Sequence, residues 1–317
     1  MSDQHGNRVS VSVISPVYRS EKSLREYYRR VSAALDSVSN DWEIILVDDA
    51  SPDGSWSELQ NLREQDDRVK IIRLAHNHGQ QKATLCGLGY ASKDYVFTID
   101  DDLQCFPEDI PKFLERLQAN AEVVIGAIPS GEKQHAAWRN LGSKLNSYVI
   151  GKVLKKPRSL RLSSFRGFRQ RTCRQLGKYR GAHPHIAALL LNSVPHNLIE
   201  NVEIRHTKRA DNGAGSYTIR KLIKTLSYIL INHSYLPLRF MTVWGVIVSI
   251  ASLSYAFWVV TNSLRGHLVP GWASIAVLTS FLSGNILLAL GVLGEYVGRL
   301  VEETRGTSQF VVFEESI

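Results

Sequence analysis

The chain has 317 residues, room for one large domain or two small ones, and its 44% hydrophobic and 21% charged content excludes a disordered polymer. A formal net charge of +8 favours an anionic partner: a nucleotide, a phosphorylated lipid, a membrane surface or a nucleic acid. Cys86, Cys105 and Cys173 have neither paired nor metal-ligand spacing and read as reduced thiols, and the polar start "MSDQHGNRVS" lacks the apolar core of a secretory signal.

Residues 9–128 alternate regularly. "VSVISPVY" reads as a strand, Ser23–Val38 as a helix, "WEIILVDD" as a strand and Ser55–Gln65 as a helix. Then follow "VKIIRLA" (strand), Gln80–Ala91 (helix), "YVFTID" (strand), Pro107–Leu117 (helix) and "AEVVIGA" (strand). Short strands that are apolar throughout and separated by helices predict an α/β fold, a parallel sheet covered on both faces. Ligands of such sheets sit at the carboxyl ends of the strands. Those ends carry Pro16-Val17-Tyr18, Asp48-Asp49, Asn77-His78-Gly79-Gln80 and Asp100-Asp101-Asp102. Three adjacent carboxylates repel one another, so the triplet predicts a cation, and Mg²⁺ is commonly held by one or two carboxylates plus substrate phosphates. No G-x-G-x-x-G follows the first strand and no G-x-x-x-x-G-K-[ST] occurs, which leaves out a dinucleotide cradle and a P-loop.

From Lys133 to Ile199 there is no Asp or Glu, while Lys133 to Arg180 holds fourteen Lys and Arg. That block reads as a field aimed at anions. Within it "AAWRNLGSKLNSYVIGKVL" has a helical pattern, with Trp138, Leu141, Leu145 and Val149 on one face and Arg139 and Ser143, four apart, on another. Such a helix suits a membrane surface, with Arg139 presented to a headgroup.

The last third predicts two membrane spans, Phe240–Val260 and Trp272–Leu293, each of a length that crosses about 30 Å of hydrocarbon. The connecting loop "TNSLRGHLVPG" has one Arg, whereas Arg220, Lys221, Lys224 and Arg239 precede the pair and Arg299 and Arg305 close it. The charge bias predicts an integral membrane protein with both termini and the N-terminal domain in the cytoplasm. Asn285 is expected to hydrogen-bond the other span.

"VSVISPVYRSEKSL", "WEIILVDDASPDGS", "LAHNHGQQKATLCGL" and "TIDDDLQCFPEDI" resemble, in order and spacing, the nucleotide-sugar-binding half of the family 2 glycosyltransferases, with their GT-A fold. The two spans and the ending "VLGEYVGRL" resemble the polyprenyl-phosphate glycosyltransferases in particular. This resemblance implies a nucleotide-sugar donor, polyprenyl (undecaprenyl) phosphate as acceptor, Mg²⁺ or Mn²⁺ as cofactor, a lipid bilayer but no nucleic acid among the partners, and room for a homo-oligomer. It also implies residue roles. Pro16, Tyr18 and Glu21 would line the nucleotide pocket, with Asp48 receiving the base and Asp49 beside it. Asp100 and Asp102 stand at the metal-binding D-x-D, with Asp101 between them, and Gln80 lies near the donor. Arg139 and Ser143 match residues that hold the lipid phosphate, and Arg209 matches an arginine that closes over the phosphates. The implied organisation is a GT-A domain over 1–217, a juxtamembrane amphipathic helix over 218–235, two membrane helices over 236–298 and a cytoplasmic tail over 299–317.

Three departures accompany the resemblance. Arg19-Ser20 replaces N-E, leaving Glu21 as the nearby acid; Leu160 replaces an Asp ahead of "SSFR"; and "GAIPSG" lacks an arginine after the fifth strand. Loss of the Asp weakens the case for a carboxylate base there, and a lipid phosphate, already anionic near neutral pH, needs none. A rival reading keeps the fold but glycosylates a saccharide or glycolipid hydroxyl, with Glu200, Glu203 and Asp211 as candidate bases. A second rival, a membrane adaptor binding phospholipid or nucleic acid through its basic face, leaves the Asp clusters unexplained.

Overall fold

In the computed structural model, the described residues are 9–128, 157, 159–181, 184–207, 236–265, 271–304 and 309–317. They belong to two compact units, Met1–Ser216 with Ser308–Ile317, and Tyr217–Thr307.

The first unit is the expected α/β fold. Its strands are β1 (Ser10–Val17), β2 (Asp41–Asp48), β3 (Val69–Leu74), β4 (Tyr95–Thr98), β5 (Val123–Ala127), β6 (Arg166–Arg169), β7 (Ile199–Glu203) and β8 (Val312–Ser316). Its helices are α1 (Leu24–Asp36), α2 (Ser55–Gln65), α3 (Gln80–Tyr90), α4 (Ile110–Ala119), α5 (Gln170–Gly177) and α6 (Ile186–Ser193), with a 3₁₀ turn at Pro107–Asp109. The strands form one eight-stranded sheet in the order β7-β5-β6-β4-β1-β2-β3-β8. Pairing is parallel from β4 through β1 and β2 to β3 and between β5 and β7. It is antiparallel where β6 lies between β4 and β5, and where β8 covers β3.

Alternation along each strand fills two cores, since successive side chains of a strand point to opposite faces. Val13, Ile44 and Leu46 pack with Leu24, Tyr27, Leu59 and Phe113 from α1, α2 and α4. Ile14, Ile45 and Val47 pack with Ala83, Leu88, Cys173 and Leu190 from α3, α5 and α6. Burial on both sides is why these strands are apolar throughout. All three cysteines are buried and free.

Residues 299–317, expected as a tail, divide between the two units. The second membrane-length helix runs on to Thr304, and Val312–Ser316 is β8, the strand that covers the edge of β3. Tyr90 donates to the Glu315 carboxylate at 2.5 Å, and Arg63 reaches the Ile317 carbonyl at 3.2 Å. The register slips at Phe313, which has no partner on β3; a bulge of this kind discourages further pairing along the outer edge.

The basic block is likewise put to internal use. Arg166 is buried, Arg169 donates to the carbonyls of Leu117 and Ala121, Arg161 donates to that of Ile128, and Arg171 pairs with Glu122. These four arginines hold the fold rather than a field for anions. The acids that meet them lie outside the acid-free run.

The second unit contains α7 (Leu236–Leu264) and α8 (Trp272–Thr304), of 29 and 33 residues. Each contains a window long and apolar enough to cross a membrane, Leu238–Asn262 and Phe281–Gly298. Trp244 Nε1 donates to Asn285 Oδ1 at 2.7 Å, so the expected bond from Asn285 to the other helix is present. A hydrogen bond between facing helices suits a surrounding that offers no water.

Candidate active site

A cleft of about 360 Å³ opens at the carboxyl ends of β1, β2 and β4. A larger hollow of about 500 Å³ lies between α7 and α8, but it is lined by apolar and small residues with no titratable side chain. A third, of about 620 Å³, lies around residues 36–41, at the amino end of β2 and away from the strand ends where ligands of such sheets sit. Four turns around the first cleft hold residues in the left-handed backbone region: Arg19 (φ 57°), Ala50 (φ 53°), Gly79 (φ 88°) and Leu103 (φ 59°). For the three non-glycines this conformation costs about 1 kcal/mol or more each, and such strain gathers at functional sites.

Pro16, Val17 and Tyr18 form one wall, and Tyr18 is the exposed member. Asp49 forms the next. Its carboxylate accepts the backbone N–H groups of His78 (2.7 Å) and Gly79 (2.8 Å), which fixes the left-handed turn into α3 and places Gln80 at the cleft. Burial pushes the Asp49 carboxyl up, and these two N–H donors pull it back.

Asp48 and Asp49 do not share a surrounding. Asp48 is fully buried and absent from the cleft lining; it accepts from Ser51 N at 3.1 Å and meets Arg73 at 3.5 Å, an ion pair without hydrogen-bond geometry. Glu21, expected in the nucleotide pocket, accepts from Gly54 N at 3.2 Å and also lies outside the cleft lining. Ser20 does line it, although the sequence offered no reason to select Ser20 beyond its departure from N-E.

The Asp triplet forms the remaining wall. Asp100 Oδ2 accepts from the Ser164 hydroxyl at 2.6 Å, and its Oδ1 accepts from Gln80 Nε2. Burial pushes the Asp100 carboxyl up, and the neighbouring Asp102 charge adds to that. Asp101 is 8% exposed, its Oδ2 has no hydrogen-bond partner, and burial brings it up to about 7. Asp102 Oδ1 accepts from Gln104 N at 3.1 Å, closing its own turn.

Among the described residues no group of three or more His, Cys, Asp or Glu converges on one point. Asp100 and Asp102 nevertheless line one cleft, and each bonded carboxylate oxygen keeps a second acceptor position. Two carboxylates facing an open cleft fit a hard divalent cation whose other ligands are phosphate oxygens and water.

The segment after β7 is tied to the loop of the triplet. Thr207 N donates to Gln104 O at 3.0 Å, His206 pairs with Cys105, and Arg205 N donates to the buried Asp109 carboxylate at 2.9 Å. Arg30 and Arg205 flank the Phe106 ring at 4.8 and 5.0 Å. Arg139, Ser143 and Arg209 lie outside the described residues, as does Asp211 among the candidate bases. Glu200 and Glu203 are on β7 and do not line the cleft, and Leu160 is buried in the core.

The family described as Glycosyl transferase family 2 matches residues 12–177. An undecaprenyl-phosphate 4-deoxy-4-formamido-L-arabinose transferase of Edwardsiella ictaluri is 31% identical over 312 residues, covering 95% of this chain and 93% of its own. One of the same name from Aeromonas hydrophila is 30% identical, covering 96% and 93%. Among solved structures, glucosyl-3-phosphoglycerate synthase of Mycobacterium tuberculosis with phosphoglyceric acid aligns over 69% of this chain and 79% of its own, at 18% identity and a TM-score of 0.49. The family match and these relatives define a glycosyltransferase. The chain belongs to glycosyltransferase family 2.

Proposed function

We propose that the protein moves one sugar from a nucleotide-sugar to polyprenyl phosphate, undecaprenyl phosphate in a bacterium, at the cytoplasmic face of the membrane. The observation that carries this reading is the pair Asp100 and Asp102 on the wall of a cleft at the strand ends, in a chain that also holds two membrane-length helices. The names of the relatives, undecaprenyl-phosphate sugar transferases similar over nearly the whole chain, support the acceptor.

The donor would lie along Pro16–Tyr18 and Asp49, with Gln80 and the triplet at its diphosphate. Asp48, behind that wall, would steady the Ala50 turn rather than meet the base itself. Mg²⁺ or Mn²⁺ held by Asp100 and Asp102 would neutralise charge on the leaving diphosphate. Arg139 and Ser143 would hold the acceptor phosphate, and Arg209, two residues beyond the tethered Thr207, would reach the phosphates. An oxygen of the lipid phosphate attacks the anomeric carbon from the face opposite the nucleotide. The new carbon–oxygen bond forms as the bond to the nucleoside diphosphate breaks, and the diphosphate leaves with the electron pair. Configuration inverts, and no proton need be removed, so the protein's task is alignment and charge stabilisation. Return of the chain to the sheet as β8 supports an even number of membrane crossings, and the basic flanks support the cytoplasmic side.

The test is transfer of sugar from a panel of UDP-sugars and GDP-mannose to undecaprenyl phosphate with Mn²⁺ present. Asp102→Asn should fold and lose turnover; retention of more than about a tenth of wild-type kcat, an effect of about 1.4 kcal/mol, would contradict the reading.

A further inference from the structure

Ser164 lies in the "SSFR" stretch but was given no role there, and it approaches the triplet from a different part of the chain. It lies on the lead-in to β6, 64 residues beyond Asp100, and its hydroxyl is 2.6 Å from Asp100 Oδ2.

The support beneath that hydroxyl is rigid. The Ser164 carbonyl accepts from Thr98 Oγ1 at 2.9 Å, which ties it to the end of β4. The carbonyl of Phe165 accepts from Gly126 N at 2.9 Å, which ties the next residue to β5. The Phe165 ring is fully buried and stacked on Phe113 at 4.3 Å. One residue further, Arg166 pairs with Thr98 in the β4–β6 ladder and is 6% exposed, with no hydrogen-bond partner at its Nε. Burial draws the Arg166 guanidinium down to about 10, and the Asp100 charge opposes that fall.

Asp100 is therefore held at both oxygens, by Gln80 from α3 and by Ser164 from the lead-in to β6. The two tethers differ in kind. Gln80 is long and itself lines the cleft, free to turn toward a ligand. Ser164 is short, and its backbone is clamped between two strands. Rotation of the Asp100 carboxylate would break the Ser164 bond, since that backbone cannot follow. A hydroxyl occupies one acceptor position of the oxygen it bonds and leaves the other open.

We propose that Ser164 is a positioning residue for the cation site: its hydroxyl locks Asp100 in the orientation that turns a free acceptor position toward the cleft. The proposal rests on the reading that Asp100 and Asp102 hold a divalent ion. Groups that orient a metal-binding carboxylate in this way typically govern about 10- to 100-fold in metal affinity.

The experiment is a titration of the full-length, detergent-purified protein with Mn²⁺, followed by the electron paramagnetic resonance of free Mn²⁺, with UDP present and in parallel with GDP. Thermal unfolding without metal checks the fold of each variant. Ser164→Ala should melt near wild type and bind Mn²⁺ about tenfold or more weakly. Ser164→Thr, which keeps the hydroxyl, should stay within about threefold of wild type, and kcat of Ser164→Ala should recover at saturating Mn²⁺. Binding by Ser164→Ala within about twofold of wild type overturns the proposal, as do equal losses in the Ala and Thr variants, which would show that the hydroxyl is not the cause. Asp100→Asn separates the two levels of the reading. If it binds Mn²⁺ as wild type does, or if wild type binds none, the metal reading fails and this proposal with it.

Discussion

Gly87 and Gly89 lie two residues apart on α3 and face opposite surroundings. A Cβ on Gly87 would stand 2.4 Å from Ile14 Cγ2 and 3.2 Å from Val47 Cγ2, whereas a Cβ on Gly89 would meet nothing within 4 Å. Both neighbours of Gly87 are fully buried β-branched side chains of central strands, with little freedom to turn away. Overpacking of a well-filled core costs about 1–3 kcal/mol, at times more. Against it stands a gain of about 1 kcal/mol from replacing a helical glycine by alanine. At a 2.4 Å approach the cost falls in the upper part of its range and wins, so Gly87→Ala should lose up to about 2 kcal/mol, or up to roughly 8 °C in Tm for a unit of this size. Gly89→Ala keeps only the favourable part and should gain about 0.4–1 kcal/mol, roughly 1–4 °C. Displacement of α3 also moves Gln80, so Gly87→Ala should weaken nucleotide-sugar binding while Gly89→Ala leaves it unchanged. Thermal unfolding and donor calorimetry on the two purified variants provide the measurement. A Gly87→Ala protein that melts at or above wild type would refute the close packing of α3 on β1.

The other predictions concern acid stability, the acceptor and topology. Burial opposes ionisation of Asp66, but hydrogen bonds from Arg68 and Tyr28 outweigh it and hold the carboxyl at about 2. Because the folded value lies below the unfolded one of about 3.9, this stabilisation is present above pH 4 and lost as pH falls through about 2. Asp66→Asn should therefore show a shallower loss of stability than wild type between those limits; parallel curves would contradict the assignment. Arg139→Ala should raise the apparent KM for polyprenyl phosphate or lower turnover, with donor affinity within about twofold, because a guanidinium clamps a phosphate as no neutral group can. Loss of donor binding with unchanged acceptor dependence would move Arg139 to the donor site. Since Cys86, Cys105 and Cys173 are buried, labelling from outside intact cells should reach a cysteine placed at Ser263 and miss one placed at Ser308. The reverse pattern would overturn the orientation.

Much of this protein is legible in its sequence because the signals are local. Apolar runs separated by helical periods fixed the first five strands and four helices, since a strand buried on both faces has no polar alternation to confuse it. The length and apolarity of the last third marked the two helices, and Asn285 forms the expected bond to the other helix, through Trp244. Adjacent like charges mark Asp100–Asp102 as a candidate site, and the three line one cleft. What the tertiary structure decided concerns direction and distant partners. "RGFR" reads as part of a basic stretch, yet it is β6, because the Leu117 and Ala121 carbonyls and the charge of Asp100 supply from elsewhere what its arginines need. "VFEES" is too polar and too far along the chain to announce a strand, and it becomes one because the edge of β3 offers unpaired backbone groups. Asp48 and Asp49 look equivalent in sequence. The alternation of side chains at a strand end and the left-handed turn at Ala50 send the first into the protein and the second to the cleft. Ser164 is one of many serines until antiparallel pairing of β6 with β4 carries it to Asp100. A residue's type and its near neighbours are written in the sequence, but which atoms meet across 64 residues is set by strand order and register.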